Sequence, residues 1–206
     1  RRKQFLLLQI NDALFHIGAY AHSYGLETCI QKNLVSSAEE AGDYIRRRML
    51  YGFCYNELLT AKLAYRYAAA ESLSKLRRLD ELLEASRIPR ETREAGKKLG
   101  SRFVKTVQSM DIPYETDMFY RYCTYEEKRL PQHAAVYGVF CAATGISSEA
   151  AIIHYLYAQT SAMVTNCVKT VPLSQTAGQR LLYQSQAFFQ ELLERLGLAM
   201  DLDDLK

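Results

Sequence analysis

Apolar residues recur along most of the chain at the spacing of α-helices. The longest stripe is formed by Ala41, Ile45, Leu50, Cys54, Leu58, Ala61 and Tyr65, at three-, four- and five-residue steps. Ser36 or Ser37 can cap the start of this helix, and Glu39 and Glu40 suit its first turn. The pattern predicts one long helix that ends near Ala70.

The remaining helices are predicted between capping residues, glycines and prolines. They run from about Gln4 to Phe15, from near His22 through Ile30, from Glu71 to Ala85, from Pro89 through Met110, from Ala134 to Thr144, from about Glu149 to Thr170, and from Ser174 to a stop at Gly197. No segment alternates with period two, and the connections are short. The sequence predicts an all-α fold, a single-domain helical bundle of about eight to ten helices over residues 1–206.

Composition and charge narrow the class of protein. Hydrophobic residues make up 49% of the chain and charged residues 24%, as in ordinary globular proteins. The net charge of +3 is too weak to indicate nucleic-acid binding. No apolar run reaches the roughly 18 residues that span a bilayer, so no membrane segment is expected. The five cysteines are widely spaced, which indicates reduced thiols and a cytoplasmic protein.

The residues show no recognisable catalytic pattern. There is no Gly-x-Ser-x-Gly elbow and no phosphate-binding loop, and Ser23 and His22 are neighbours that would point apart on a helix. His16 and His22 flank a glycine turn and make a weak metal-ligand set, whereas His133 and His154 suit structural roles. We therefore expect no enzyme and no bound cofactor.

One predicted helix stands out because it is polar without being charged. Between Tyr155 and Lys169 it mixes Gln159, Thr160 and Asn166 with apolar residues on nearly every face. Buried amides and hydroxyls need partners. The segment is either a central bundle helix with satisfied polar groups or part of a protein interface.

Three blocks in order along the chain form a recognisable family pattern. The first block is the apolar run with Leu8, Gln9, Asn11, Asp12, Gly18, His22, Ser23, Gly25, Leu26 and Glu27. The second is His133 followed by Tyr137-Gly138-Val139-Phe140 and Gly145-Ile146, and the third runs from Tyr155 through Asn166 to Gln179. Together these blocks resemble the urease accessory protein family UreF. The resemblance covers nearly the whole chain and agrees with the all-helical prediction.

The resemblance implies a scaffold rather than a catalyst. Members of this family are all-α homodimers without a cofactor of their own. They bind the accessory protein UreD, also called UreH, and recruit the nickel-carrying GTPase UreG. The assembly inserts nickel into apo-urease, so nickel is cargo that passes through the complex.

The resemblance also suggests candidate residues. Along a nickel route we expect Tyr20, His22, Ser23 and Glu27, near the glycine turn. For the surface that faces the GTPase we expect Tyr157, Gln159, Lys169, Gln175, Gln179 and Arg180, which come from two consecutive helices and could share one face. The alternative is that these glutamines and Arg180 only cap the turn at Pro172.

Two departures from the family pattern affect these expectations. The family often has proline where this sequence has His16. Without that proline we expect the turn before Gly18 to be looser here. Family members usually continue with a basic, aromatic C-terminal tail that contacts UreD, whereas this sequence ends at Lys206, so we expect it to fold but to bind UreD weakly. The competing hypotheses are a metal-dependent helical enzyme that uses His22, Glu27 and the cysteines, and a helical adaptor unrelated to urease.

Overall fold

A computed structural model describes residues 1–15, 25–85, 90–126, 129–198 and 201–205, which are helical apart from short connections. The α-helices are α1 (Arg2–Ile10), α2 (Leu26–Gln31), α3 (Ala38–Arg47), α4 (Leu59–Ala69), α5 (Leu73–Ala85), α6 (Arg90–Gln108), α7 (Met118–Thr124), α8 (His133–Ala143), α9 (Ser148–Thr170) and α10 (Gln175–Leu198). A π-helical segment, Arg48–Leu58, joins α3 to α4, and a short 3₁₀ helix, Leu202–Asp204, follows α10. The predicted all-α bundle is confirmed.

The predicted long helix is present as one continuous rod of α3, the π-helical segment and α4. The side chain of Ser37 caps it by accepting a hydrogen bond from the backbone N–H of Glu40 at 3.2 Å, as the sequence predicted. Ile45 and Leu50, five residues apart, are both fully buried, and this spacing suits the wider turn of a π-helix. The rod is the centre of the bundle, with buried residues along its whole length.

Helix α8 packs almost backbone to backbone against α4. A Cβ atom on Gly138 would lie 2.3 Å from the carbonyl oxygen of Ala61 and 2.9 Å from the backbone nitrogen of Tyr65, so only glycine fits. Every residue of α8 except Ala142 is buried. Because both faces of α8 meet other helices, its sequence is apolar all round.

An aromatic cluster fills the space between α6, α8 and α9. His133 meets Phe103 edge to face at 5.5 Å between ring centroids, and its Nδ1 lies 3.4 Å from the hydroxyl of Tyr155. Tyr137 and Tyr155 have centroids 4.7 Å apart, and the Tyr137 hydroxyl donates to the carbonyl of Ala151 at 2.9 Å. The structural role expected for His133 is confirmed.

Helix α10 returns along the central rod after a sharp turn at residues 171–174. Contacts of Gly42 with Leu181 and of Lys62 with Leu196 show that α10 runs in the same direction as the rod. In the second contact, the Lys62 ammonium donates to the Leu196 carbonyl at 2.6 Å. The short turn makes α9 antiparallel to α10 and therefore to the rod.

Several predicted boundaries shift once packing is known. The first helix ends at Ile10 instead of Phe15, because the side chain of Asn11 turns back to the Leu7 carbonyl and reaches the Tyr137 hydroxyl. Gly197 does not stop the last helix, which continues to Leu198. The region after Pro113 contains α7, which the sequence analysis left unassigned. Among the described residues, no helix is both long and apolar enough to cross a membrane.

Candidate partner-binding surface

The turn between α9 and α10 is closed by a glycine contact. A Cβ atom on Gly178 would lie 2.5 Å from Cγ2 of Val168 and 3.8 Å from Cγ1 of Val164. The hydroxyl of Ser174 accepts from the backbone N–H of Ala177 at 3.1 Å and satisfies one donor at the start of α10. The first turns of α10 are therefore pressed onto the last turns of α9, and their other sides face outward.

The outward face of α10 is polar and almost uncharged. Between residues 175 and 190 its exposed members include Gln175, Gln179, Arg180, Tyr183, Gln186 and Gln190, and the exposed Glu194 follows one turn later. Tyr183 is 74% exposed, and Arg180 is the single charged side chain of the set. Tyrosine and arginine are enriched in protein interfaces, and glutamine amides both donate and accept hydrogen bonds. We name this set the α10 face.

The outward face of α9 is also uncharged. No Asp, Glu, Lys or Arg occurs between Glu149 and Lys169, where the half-buried His154 is the one titratable imidazole, and Ile153 and Tyr157, one turn apart, are exposed. The hydroxyl of the buried Thr160 donates to the Leu156 carbonyl at 2.8 Å, so it needs no partner on another helix. Helix α9 is thus buried on one side and exposed on the other. The buried side agrees with a central bundle helix, and the interface expected of this helix stays a prediction for the exposed side.

The six predicted surface residues do not form one face. Tyr157 and Gln159 are two positions apart, which separates them by about 200° around the helix. Tyr157 is 47% exposed, whereas Gln159 lines a narrow cavity of about 10 Å³ against the π-helical segment, together with Arg48 and Glu57. Burial raises the pKa of Glu57, and the guanidinium of Arg48, 3.8 Å away, opposes that rise. Gln159 therefore lies against the central rod, on the opposite side of α9 from Tyr157.

The other predicted residues divide between the two helices. Gln175, Gln179 and Arg180 are all exposed on the α10 face. Lys169 lies in the last turn of α9 and is also exposed. Among the nickel-route candidates, Glu27 is exposed in the first turn of α2. Tyr20, His22 and Ser23 lie outside the described residues, as does His16.

A sequence model of the UreF family matches residues 35–186, and this span contains the whole of α9 and the first half of α10. A urease accessory protein UreF of Bacillus sp. (strain TB-90) is 32% identical over 191 residues, which are 90% of this chain and 81% of the relative. The chain belongs to the UreF family. A second urease accessory protein UreF, from Haemophilus influenzae (strain ATCC 51907 / DSM 11121 / KW20 / Rd), is 30% identical over 201 residues, or 96% of this chain and 83% of the relative.

Buried cysteines and the buried His133 are held in their neutral forms. Burial raises the pKa of the Cys167 thiol to about 11 and that of Cys123 to about 12, so both stay protonated near neutral pH. Burial lowers the pKa of His133 to about 4. In the part of the chain that the structure describes, no group of three or more histidine, cysteine, aspartate or glutamate side chains is placed to hold a metal ion.

The sequence analysis missed a buried charge cluster that fixes α7. The guanidinium of Arg129 lies between the rings of Tyr122 and Tyr125, 4.3 Å from each centroid, and donates to Asp80 of α5 at 2.9 Å. Both tyrosine hydroxyls also donate to Asp80, at 2.8 and 2.7 Å. The only signal was the concentration of tyrosine and charge after Pro113, because the helical pattern of α5 places Asp80 on its polar side.

Proposed function

We propose that this protein is an accessory scaffold in urease maturation. With UreD/UreH it binds the nickel-carrying GTPase UreG, and together they insert nickel into apo-urease. Membership of the UreF family supports this role, since the two relatives described above are both named urease accessory proteins. The protein acts in the cytoplasm as a homodimer and breaks no covalent bond itself.

The observation that carries the proposal is the presence of two outward, nearly uncharged helix faces. The α10 face offers four glutamines, Tyr183 and Arg180, and the outer face of α9 offers Ile153 and Tyr157. Such surfaces bury little charge when a partner docks, so they avoid the cost of desolvating ions. A protein that holds a second copy of itself and two other proteins needs more than one surface of this kind.

A scaffold that binds the GTPase can also link GTP hydrolysis to nickel release. A partner's nucleotide state can be coupled to metal transfer only if the scaffold binds its two states with different affinities. Tyr157 and Arg180 could supply such contacts, because both are exposed on the matched part of the chain. The metal ion would be the cargo of the complex.

Reconstitution of apo-urease with nickel, GTP, UreD/UreH and UreG, with and without this protein, tests the proposal. We expect urease activity and urease-bound nickel to rise only when the protein is present. A parallel mixture without UreG controls for spontaneous loading by free nickel. Equal activation with and without this chain would show that the proposed function is wrong.

A further inference from the structure

Helix α1 exposes apolar side chains that nothing in the described chain covers. Phe5 and Leu8 lie one turn apart on its outer side, and Leu14 follows just beyond its end at 78% exposure. These three residues are the α1 patch. Four consecutive apolar residues, 5–8, cannot all face the core from a short helix, and only Leu7 among them is fully buried.

Two hollows flank this patch and meet at Gln9. The larger hollow has a volume of about 430 Å³ and lies between α1 and the segment after α6, where Met110, Ile112 and Tyr114 line it. The smaller one, about 370 Å³, is lined by Leu8, Gln9, Asp12, Leu14 and Phe15. Hollows of this size accept large apolar side chains. The two hollows together form a groove of a size that can bind a protein segment.

Two positive charges beside the patch, on Arg1 and Arg2, have no acidic partner among the described residues. Lys3 is bound to Glu115 and to the carbonyl of Gly145, and Asp12 accepts a hydrogen bond from the backbone of Leu14. Arg1 and Arg2 form no ion pair with any described residue. Helix α1 has no acidic residue in its first turn that could balance these two cations. Carboxylates from a partner would be favoured there.

We infer that the α1 patch and its two hollows bind an acidic amphipathic segment of another protein in the urease-maturation assembly. The segment's apolar side chains would fill the hollows, and its carboxylates would lie over Arg1 and Arg2. The inference rests on the proposed function. A membrane surface fits less well, because two cations give a peripheral contact little affinity and a bilayer would leave the hollows empty.

Two substitutions of equally exposed leucines make a matched test. Leu14→Ser removes part of the patch, and Leu198→Ser makes the same change at the end of α10, where the leucine is 83% exposed. Binding of each variant to immobilised UreD/UreH, UreG and apo-urease would be measured by biolayer interferometry. We expect Leu14→Ser to weaken one of these partners at least about tenfold and Leu198→Ser to weaken none.

A charge reversal tests the acidic part of the inference. Arg2→Glu should weaken the same partner, and the difference from the unmodified protein should shrink as salt is raised, because salt screens the pairing. Thermal unfolding should be unchanged in all three variants, since the altered side chains are exposed. Binding of every partner at unmodified strength by both Leu14→Ser and Arg2→Glu would overturn the inference.

Other occupants of the patch have their own outcomes. If Leu14→Ser abolished binding to phosphatidylserine vesicles while protein binding was unchanged, the patch would be a membrane contact and the inference would be wrong. If it instead abolished self-association in sedimentation, the occupant would be a second copy. Failure of the reconstitution described above would remove the proposed function itself, whereas normal reconstitution by Leu14→Ser would remove only this inference.

Discussion

The guanidinium of Arg129 donates to the carboxylate of Asp80 at 2.9 Å, and each side chain is only 12% exposed. This pair joins α5 to the segment after α7. Breaking a buried pair leaves one charge without compensation. We expect Asp80→Ala to lower the free energy of unfolding by about 3 kcal/mol, measured by chemical denaturation.

An exposed ion pair on the same helix provides the control. Arg78 donates to Glu81 at 3.0 Å, but both side chains are mostly exposed, so Arg78→Ala should cost less than about 1 kcal/mol. The double variant Asp80→Leu/Arg129→Met should recover part of the loss, because it leaves no buried charge. If Asp80→Ala and Arg78→Ala lowered the free energy of unfolding equally, the Asp80–Arg129 pair would not be a buried stabilising contact.

His133 should make the protein less stable in acid. Burial lowers its pKa to about 4 in the folded protein, whereas an unfolded histidine titrates near 6.5. Below pH 6.5 the unfolded chain therefore binds a proton that the folded chain does not, so stability falls as the pH drops from about 6.5 to about 4. The loss should approach about 3 kcal/mol.

Substitution of the imidazole by an apolar ring isolates this effect. His133→Phe keeps a ring in the cluster with Phe103 and Tyr155 but has no proton to bind. Urea unfolding of both proteins between pH 4 and pH 7 is the measurement, and the variant should show a shallower pH dependence. The same slope in both proteins would show that other groups are responsible.

Replacement of glycine by alanine should have opposite effects on stability at Gly138 and at Gly197. In Gly138→Ala the new methyl group would meet the backbone of Ala61 at 2.3 Å, so α8 and α4 must separate. We expect a loss of about 3 kcal/mol, at the upper end of overpacking costs. Gly197→Ala meets nothing within 4 Å and lies in a helix, so it should stabilise the protein by up to about 1 kcal/mol. Thermal unfolding of both variants is the measurement.

The candidate partner surface gives a prediction in cells. Tyr157→Ala and Arg180→Ala should leave folding intact, because both side chains are exposed, but should lower urease maturation by an order of magnitude each if they contact a partner as hot spots do. Urease activity in cells that carry these variants is the measurement. Tyr120→Ala, at an exposed tyrosine of α7, is the control. Unchanged activity in both variants would remove the proposed surface.

Leu26 tests the packing of the short second helix. It is 1% exposed, and Leu26→Asp would bury an unpaired carboxylate, so we expect loss of the folded state or of several kcal/mol of stability. Glu27→Ala, one residue later and exposed, should have little effect. Thermal unfolding monitored by circular dichroism compares the two, and normal unfolding of Leu26→Asp would show that Leu26 is not part of the core.

Much of the fold followed from local pattern. The long helix from Ser37 to Ala69 was predictable, because its N-cap and its apolar stripe are both encoded within a few residues. Helix α7 was not, because it is short and its Met118, Phe119 and Tyr122 are buried by contacts distant in sequence. The shared face expected for Tyr157 and Gln159 failed for a similar reason, since the rod covers one side of α9 and leaves the other open.

The sequence by itself determined the helical class and, through its ordered motifs, the family, because helical periodicity and motif order are properties of the linear chain. Only the tertiary structure decided which apolar residues stay exposed, as at Leu14, and which charges are buried, as at Asp80. Burial depends on which elements pack together. That arrangement is set by long-range contacts such as those of Gly138 with α4, which no local pattern contains.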